Sequence, residues 1–310
     1  MPPVAVIDIG SNTIKLLVAD RDPAGNMRSL AMRTLEARIS AGIGGAVPTL
    51  SAEGIARGVA AVKELSELAA QHAPTQTQLV ATSAVRDAAN GADFVAQVLA
   101  TTGHTIRILG GDEEANFIGR GLTADPALAH LQDFHVFDLG GGSLECLAFR
   151  AREIQQAFSA KLGCVRLTER FVTDAHGPLT ANSETQLRDH VRAELLRLGF
   201  AGHPGAAAVF AGGSMTTVRA ILGAEANLDL NATAPRVPVD TLRSLLDRLR
   251  PLDLVARRAI PGMPASRADV FPAALVTMIT VAELGGFDAF QHSFYNLRWG
   301  LADALLDAAV

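Results

Sequence analysis

Two short stretches of the 310-residue chain set carboxylates beside bare backbone: VIDIGSNTIK at 6–15 and VFDLGGGSLE at 136–145. In each, an apolar run ends in Asp-x-Gly, with Asp8 and Gly10 in the first and Asp138 and Gly140 in the second. Glycine lets successive N–H groups close on an anion, because no Cβ stands in the way. A phosphoryl group suits such a cradle. An aspartate beside it would repel it, so its presence points to a divalent cation between them, magnesium held through waters. One Asp-x-Gly alone is ordinary turn chemistry. Two copies with the same flanking runs, the second closed by GGGS and Glu145, favour chemistry over a plain turn.

Three further segments carry chemical side chains. In GGDEEANFIGRG (110–121), Asp112 reads as an N-cap, and Glu113 and Glu114 in the first helical turn favour the helix dipole. An acidic turn that follows the strand-like TIRIL, where one domain hands over to the next, also suits a carboxylate that orients or deprotonates water. LVATSAVRDAAN (79–90) sets Thr82, Ser83 and Arg86 after an apolar run; the arginine fork fits phosphate oxygens, and a helix-start serine with a surface arginine fits equally. AVFAGGSMTTVRAI (208–221) has strand, glycine pair, hydroxyl and helix in sequence, which suits an anion at a helix N-terminus or close packing. The eight histidines show no HxxxH or HD pairing and read as surface or core residues, and 40–51 reads as a loop without chemistry.

The elements that must hold these groups follow from self-similarity. Laying 6–19 over 136–149 matches Val6 with Val136, Asp8 with Asp138, Gly10 with Gly140, Thr13 with Ser143 and Leu17 with Leu147 at one constant offset. Each copy reads as a β-hairpin with polar groups at its tip, followed by a third strand, RSLAMRTL or EIQQAFSA. Helices at 51–70 and 91–102 then alternate with strands at 78–82 and 105–109, an α/β pattern. Two equivalent domains would bring their hairpin tips to a central cleft.

Composition excludes several classes. Hydrophobic residues make up 49% and charged ones 19%, so the chain can bury full cores, and a net charge of −5 argues against a broad nucleic-acid surface. Cys146 and Cys164 lack zinc or disulfide spacing, which fits a reducing, cytoplasmic setting. The N-terminus shows no signal-peptide pattern, because Asp8, glycine and serine break its apolar start. The apolar stretch 270–287 holds Pro272 and Glu283 and reads as a buried helix rather than a membrane span.

Taken in order, DIGSNTIKLLVAD, ATSAVRDAAN, GGDEEANFIGRG, DLGGGSLE, KLGCVRLTERF, AGGSMTTVRAI and MPASRADVFPAAL resemble the exopolyphosphatase/guanosine pentaphosphate phosphohydrolase (Ppx/GppA) family of the actin-like superfamily, from Val4 to about Leu305. The resemblance implies two actin-like (ribonuclease H-like) α/β domains, at 1–118 plus about 297–310 and at 119–296, with the C-terminal helix returning to the first. It implies a magnesium-dependent hydrolase acting on inorganic polyphosphate, guanosine pentaphosphate or both, and a homodimer. By motif position, Glu114 and Glu145 match the catalytic glutamates and Asp8 and Asp138 the metal-associated aspartates. Ser11, Asn12, Thr13, Gly140, Gly141, Gly142 and Ser143 match the phosphate loops, joined by Arg86, with Gly213 and Ser214 in the later glycine turn. Two positions depart from the family: GGGSLE has leucine where threonine commonly precedes the glutamate, and Trp299 stands in LRWG where an acidic residue is usual. The chain also stops where longer members continue into helical domains, so shorter polyphosphates are the expected substrates. An ATP-using phosphotransferase and a non-catalytic phosphate sensor are the alternatives; the paired glutamates argue against the first, since a kinase excludes water.

Overall fold

The computed structural model describes residues 2–40, 47–203 and 205–308, so 41–46 of the loop read at 40–51 lie outside the described residues. β1 (Val4–Ile9) is apolar except at Asp8 and buried at all six positions, as a strand covered on both faces must be. It pairs antiparallel with β2 (Thr13–Arg21), which pairs with the largely exposed edge strand β3 (Met27–Glu36). Helix α1 (Ala52–Ala70) starts where the Ser51 hydroxyl accepts from the Gly54 N–H, and it buries Ile55, Val62, Leu65 and Ala69 on one stripe. β4 (Gln76–Ala81), the short α2 (Ser83–Arg86), α3 (Gly91–Thr102), β5 (Ile106–Ile108) and α4 (Gly111–Thr123) follow. The sheet order is β3-β2-β1-β4-β5, with β1, β4 and β5 parallel.

The second sheet opens with the same meander. β6 (Phe134–Leu139), β7 (Leu144–Arg150) and β8 (Glu153–Ala160) pair antiparallel in turn. Helices α5 (Cys164–Phe171) and α6 (Ala181–Arg197) lead to β9 (Ala207–Ala211), α7 (Gly212–Ala226), β10 (Arg236–Pro238), α8 (Val239–Leu249), α9 (Leu254–Arg258), α10 (Phe271–Gly285) and β11 (Ala289–His292). The sheet order is β10-β11-β9-β6-β7-β8. α10 is buried at every residue from Phe271 to Ala282, because it packs against α6 and α8 as the centre of its core. No helix among the described residues is long and apolar enough to cross a membrane.

The last helix, α11 (Leu297–Ala308), packs along α4, where Gly121 and Gly300 let the two backbones touch. Arg120 and Arg21 both bond Asp303 and Asp307 there. The chain accordingly divides into two compact units, Met1–Ala129 with Tyr295–Val310, and His130–Phe294. The expected boundaries at 118/119 and 296/297 shift for this reason: α11 holds the whole of α4 in the first unit, so the acidic turn lies within that unit and not at a domain crossing.

Candidate active site

Each unit carries its own tip. In both hairpins the strand register runs to the turn, Ile9 opposite Ile14 and Leu139 opposite Leu144, and one bond closes the tip: Gly10 N–H to the Thr13 carbonyl at 3.2 Å, Gly140 N–H to the Ser143 carbonyl at 3.0 Å. The structure thus places Ser11, Asn12 and Thr13 in one turn and Gly140 to Ser143 in the other. The repeat diverges one register pair further back. Opposite residues of an antiparallel pair share a face; Asp8 stands opposite Lys15, whereas Asp138 stands opposite Glu145.

In the first unit, Asp8 is 9% exposed, and burial pushes its carboxyl up against the opposing pull of Lys15 and Arg298. Arg298 reaches the region from α11 and donates to the Leu16 carbonyl at 3.0 Å. Ser11 and Ser83 hydroxyls lie 3.4 Å apart. The Asn12 backbone carbonyl accepts from Ala37 and Arg38, yet neither atom of its buried side-chain amide has a partner. An unsatisfied buried amide is costly and is the kind of group a ligand completes. Glu114, 6% exposed on the first turn of α4, accepts from Arg86 Nη1 at 3.0 Å, while its neighbour Glu113 turns outward to Arg107. The same Nη1 donates to the Leu109 carbonyl at 2.8 Å, and Nε lies 3.7 Å from Asp87. Asp112 is not the N-cap; Gly110 holds that position without a side-chain bond, and Asp112 sits in the first turn.

In the second unit, the carbonyls of the GGGS turn are taken up by α5. Gly140 accepts from Cys164 N–H, Gly141 from Val165 and Arg166 N–H, and Gly142 from Arg166 Nε. In a trans peptide the next N–H points opposite to its carbonyl. The N–H groups of Gly141, Gly142 and Ser143 are therefore directed away from α5, as an anion cradle requires. Glu145 is 2% exposed and accepts from the Ser159 hydroxyl at 2.7 Å, Ser159 being its register partner on β8. Gly212 opens α7 with φ +83°, and a Cβ there would strike the Asp138 carboxylate. The Arg267 guanidinium lies over Gly213. Ser214 is fully buried, its hydroxyl donating to the Leu139 carbonyl at 3.3 Å, so its side chain anchors α7 to the end of β6.

No three His, Cys, Asp or Glu side chains among the described residues cluster as a ready metal site. The free thiols of Cys146 and Cys164 are buried and burial pushes both up, which suits neither nucleophile nor ligand. Sequence reasoning missed Lys15, Ser159, Arg267 and Arg298. Counting the register outward from Asp138 finds Glu145 and then Ser159; Arg267 and Arg298 arrive through long-range packing and leave no local signal.

A family model described as the Ppx/GppA phosphatase family matches residues 17–309. A protein of Mycobacterium tuberculosis (strain CDC 1551 / Oshkosh) named exopolyphosphatase 2 is 32% identical over 318 residues, covering 97% of this chain and 98% of that one. The fold is that of a solved exopolyphosphatase from Cytophaga hutchinsonii, with TM-score 0.88 at 22% identity over 99% of this chain and 98% of that chain. An Aquifex aeolicus Ppx/GppA family member gives TM-score 0.81 at 21% identity with the same coverage of each chain.

Proposed function

The chain belongs to the Ppx/GppA phosphatase family, and on that premise we propose that it is an exopolyphosphatase, releasing terminal phosphate from inorganic polyphosphate with magnesium. The observation that carries this reading is the pair Asp138 and Glu145, two carboxylates opposite each other on one sheet face beside a loop that turns three N–H groups outward. Like charges so placed destabilise a sheet and persist where a cation and an anion complete them.

The chain's own groups divide the work. In the second unit the N–H groups of Gly141, Gly142 and Ser143 grip phosphoryl oxygens, and in the first those of Ser11 to Thr13 offer a cradle of the same kind. Arg86 splits its fork: Nη1 holds Glu114, and Nη2, which has no bonded partner among the described residues, faces a phosphate oxygen. In the first unit Glu114 serves as a base for water, and in the second Glu145, fixed by Ser159, orients water beside the glycine cradle. Asp138 beside Glu145 fits a hydrated magnesium ion; Asp8, already offset by Lys15 and Arg298, contributes less to holding one. When bound, magnesium offsets charge on the terminal phosphoryl. Short chains are the better substrates, because a net charge of −5 offers phosphates beyond the cradle no general attraction. The protein acts in the cytoplasm, where two free buried cysteines suit a reducing medium, and as a homodimer.

The test is phosphate release with magnesium from short polyphosphate, long polyphosphate, guanosine pentaphosphate and ATP. Fastest release from short polyphosphate supports the reading. Preference for guanosine pentaphosphate moves the substrate to the nucleotide, since both present the same terminal phosphoanhydride. Tight ATP binding with transfer to an acceptor makes it a phosphotransferase, and binding with no turnover makes it a sensor. Sedimentation equilibrium reads the dimer.

A further inference from the structure

The three glycine carbonyls of the GGGS turn are held from behind, and one of them is held by a side chain. The Gly140 carbonyl accepts from the Cys164 N–H at 3.0 Å, and that of Gly141 from the Val165 and Arg166 N–H groups at 3.0 and 3.2 Å. No backbone N–H among the described residues reaches the Gly142 carbonyl. The half-buried Arg166 does, donating from Nε at 3.0 Å. The start of α5 stands hard against the turn, since a Cβ at Gly163 would lie 2.3 Å from the backbone of Gly141 and Gly142. Gly142 and Ser143 are buried, yet neither N–H has an acceptor among the described residues. A buried N–H without an acceptor is rare in a folded chain and marks a place that a ligand oxygen completes.

The first unit repeats the device with different residues. Where 163–166 (GCVR) follows β8, 37–40 (ARIS) follows β3: Ala37 and Arg38 N–H donate to the Asn12 carbonyl at 3.2 and 2.9 Å, and Ser40 N–H to that of Ser11 at 3.3 Å. Arg57 backs this segment, bonding the carbonyls of Ala37 and Arg38 at 2.9 and 3.1 Å. The tip so held carries the buried Asn12 amide that lacks a partner. We propose that Arg166 is a positioning residue of the glycine cradle, its bond to the Gly142 carbonyl aiming and strengthening the Ser143 N–H as a donor to a phosphoryl oxygen of the substrate. The proposal rests on the reading above in which this loop grips phosphoryl oxygens. The Gly142 carbonyl and the Ser143 N–H share one planar peptide, so fixing the oxygen fixes the N–H. A guanidinium makes a charge-assisted bond, and drawing density to the carbonyl oxygen makes the N–H across the peptide a stronger donor.

The experiment uses the full chain with magnesium and inorganic phosphate as the probe, which is not turned over. Arg166→Met should move the Ser143 amide proton upfield in the ligand-free protein and weaken phosphate binding about tenfold. The Gly141 amide is the control. Its peptide carbonyl, that of Gly140, is held by the Cys164 backbone, so it should stay in place, whereas a general loosening of the turn would move both amides. Arg166→Lys keeps the charge and a donor and should bind phosphate more tightly than the methionine variant. Should Arg166→Met fail to fold, the lysine variant decides by a Ser143 shift with Gly141 unmoved. An unmoved Ser143 amide, an equal shift at Gly141, unchanged binding, or lysine no better than methionine overturns the proposal. So does a wild type whose cradle amides ignore phosphate. A wild type whose amides respond but which releases no phosphate from polyphosphate sinks the proposed function alone, because none of these readouts needs turnover.

Discussion

Glu114 and Glu145 differ in what holds them, and that difference sets what each substitution should do. Glu114 is tied to a guanidinium, an ion pair at 3.0 Å that fixes the direction of the carboxylate. Glu114→Gln keeps its size and a hydrogen-bond acceptor for Arg86 but removes the base, so kcat should fall about a hundredfold or more with substrate binding retained. Steady-state phosphate release beside equilibrium binding of polyphosphate checks this; wild-type rates would remove Glu114 from the mechanism. Glu145 accepts from the neutral Ser159 hydroxyl at 2.7 Å. Ser159→Ala leaves the buried carboxylate without that donor, and turnover should fall about tenfold, Ser159→Thr losing less. Equal rates for Ser159→Ala and wild type would show that Glu145 needs no such support.

The hairpins are the elements that carry the site, and they were legible because a short apolar run, an Asp-x-Gly tip and a second copy all fix one register. From that register Asp138 and Glu145 share a face by counting alone, and EIQQAFSA was found as β8 to the residue. The start of α4 was not legible: Asp112 is a good capping type, but the chain enters the helix through Gly110, and α11 decides which unit owns α4. That is tertiary packing between segments far apart in the chain, invisible to local pattern. The α7 turn was read as glycine serving anion binding or close packing, and the structure shows the packing, because Gly212 abuts Asp138. Gly212→Ala should therefore cost about 1–3 kcal/mol from its left-handed backbone and displace Asp138 as well. Denaturant unfolding and turnover measured together check it, the expected outcome being a larger fractional loss in kcat than stability alone explains. An alanine variant with native stability and rate would contradict both.

The whole molecule consists of two units with separate hydrophobic cores, and their acid sensitivities differ. Both histidines that burial depresses strongly lie in the second unit: His135, pushed down to about 4 by burial and then His203, and His292, at about 3. The unfolded chain binds a proton at each near pH 6.5, whereas the folded unit does not until far lower. Their stabilisation is thus full above pH 6.5 and is lost as pH falls, at a slope approaching about 1.4 kcal/mol per pH unit for each. By pH 4.5 the second unit should have lost about 3–5 kcal/mol through the pair, with solvent screening trimming the share of His135. Over that range carboxylates held low by partners, such as Asp20 in the first unit, remain ionised and add little. The only tryptophan, Trp299, and the only tyrosine, Tyr295, both lie in the first unit and stack at 4.1 Å between ring centroids. Tryptophan fluorescence therefore reports the first unit, and far-UV circular dichroism reports both. At pH 7.5 the two urea midpoints should lie close, and at pH 4.5 the dichroism midpoint should fall below the fluorescence midpoint. Midpoints that stay together at every pH would mean that the units unfold as one body and that the histidines of one destabilise both.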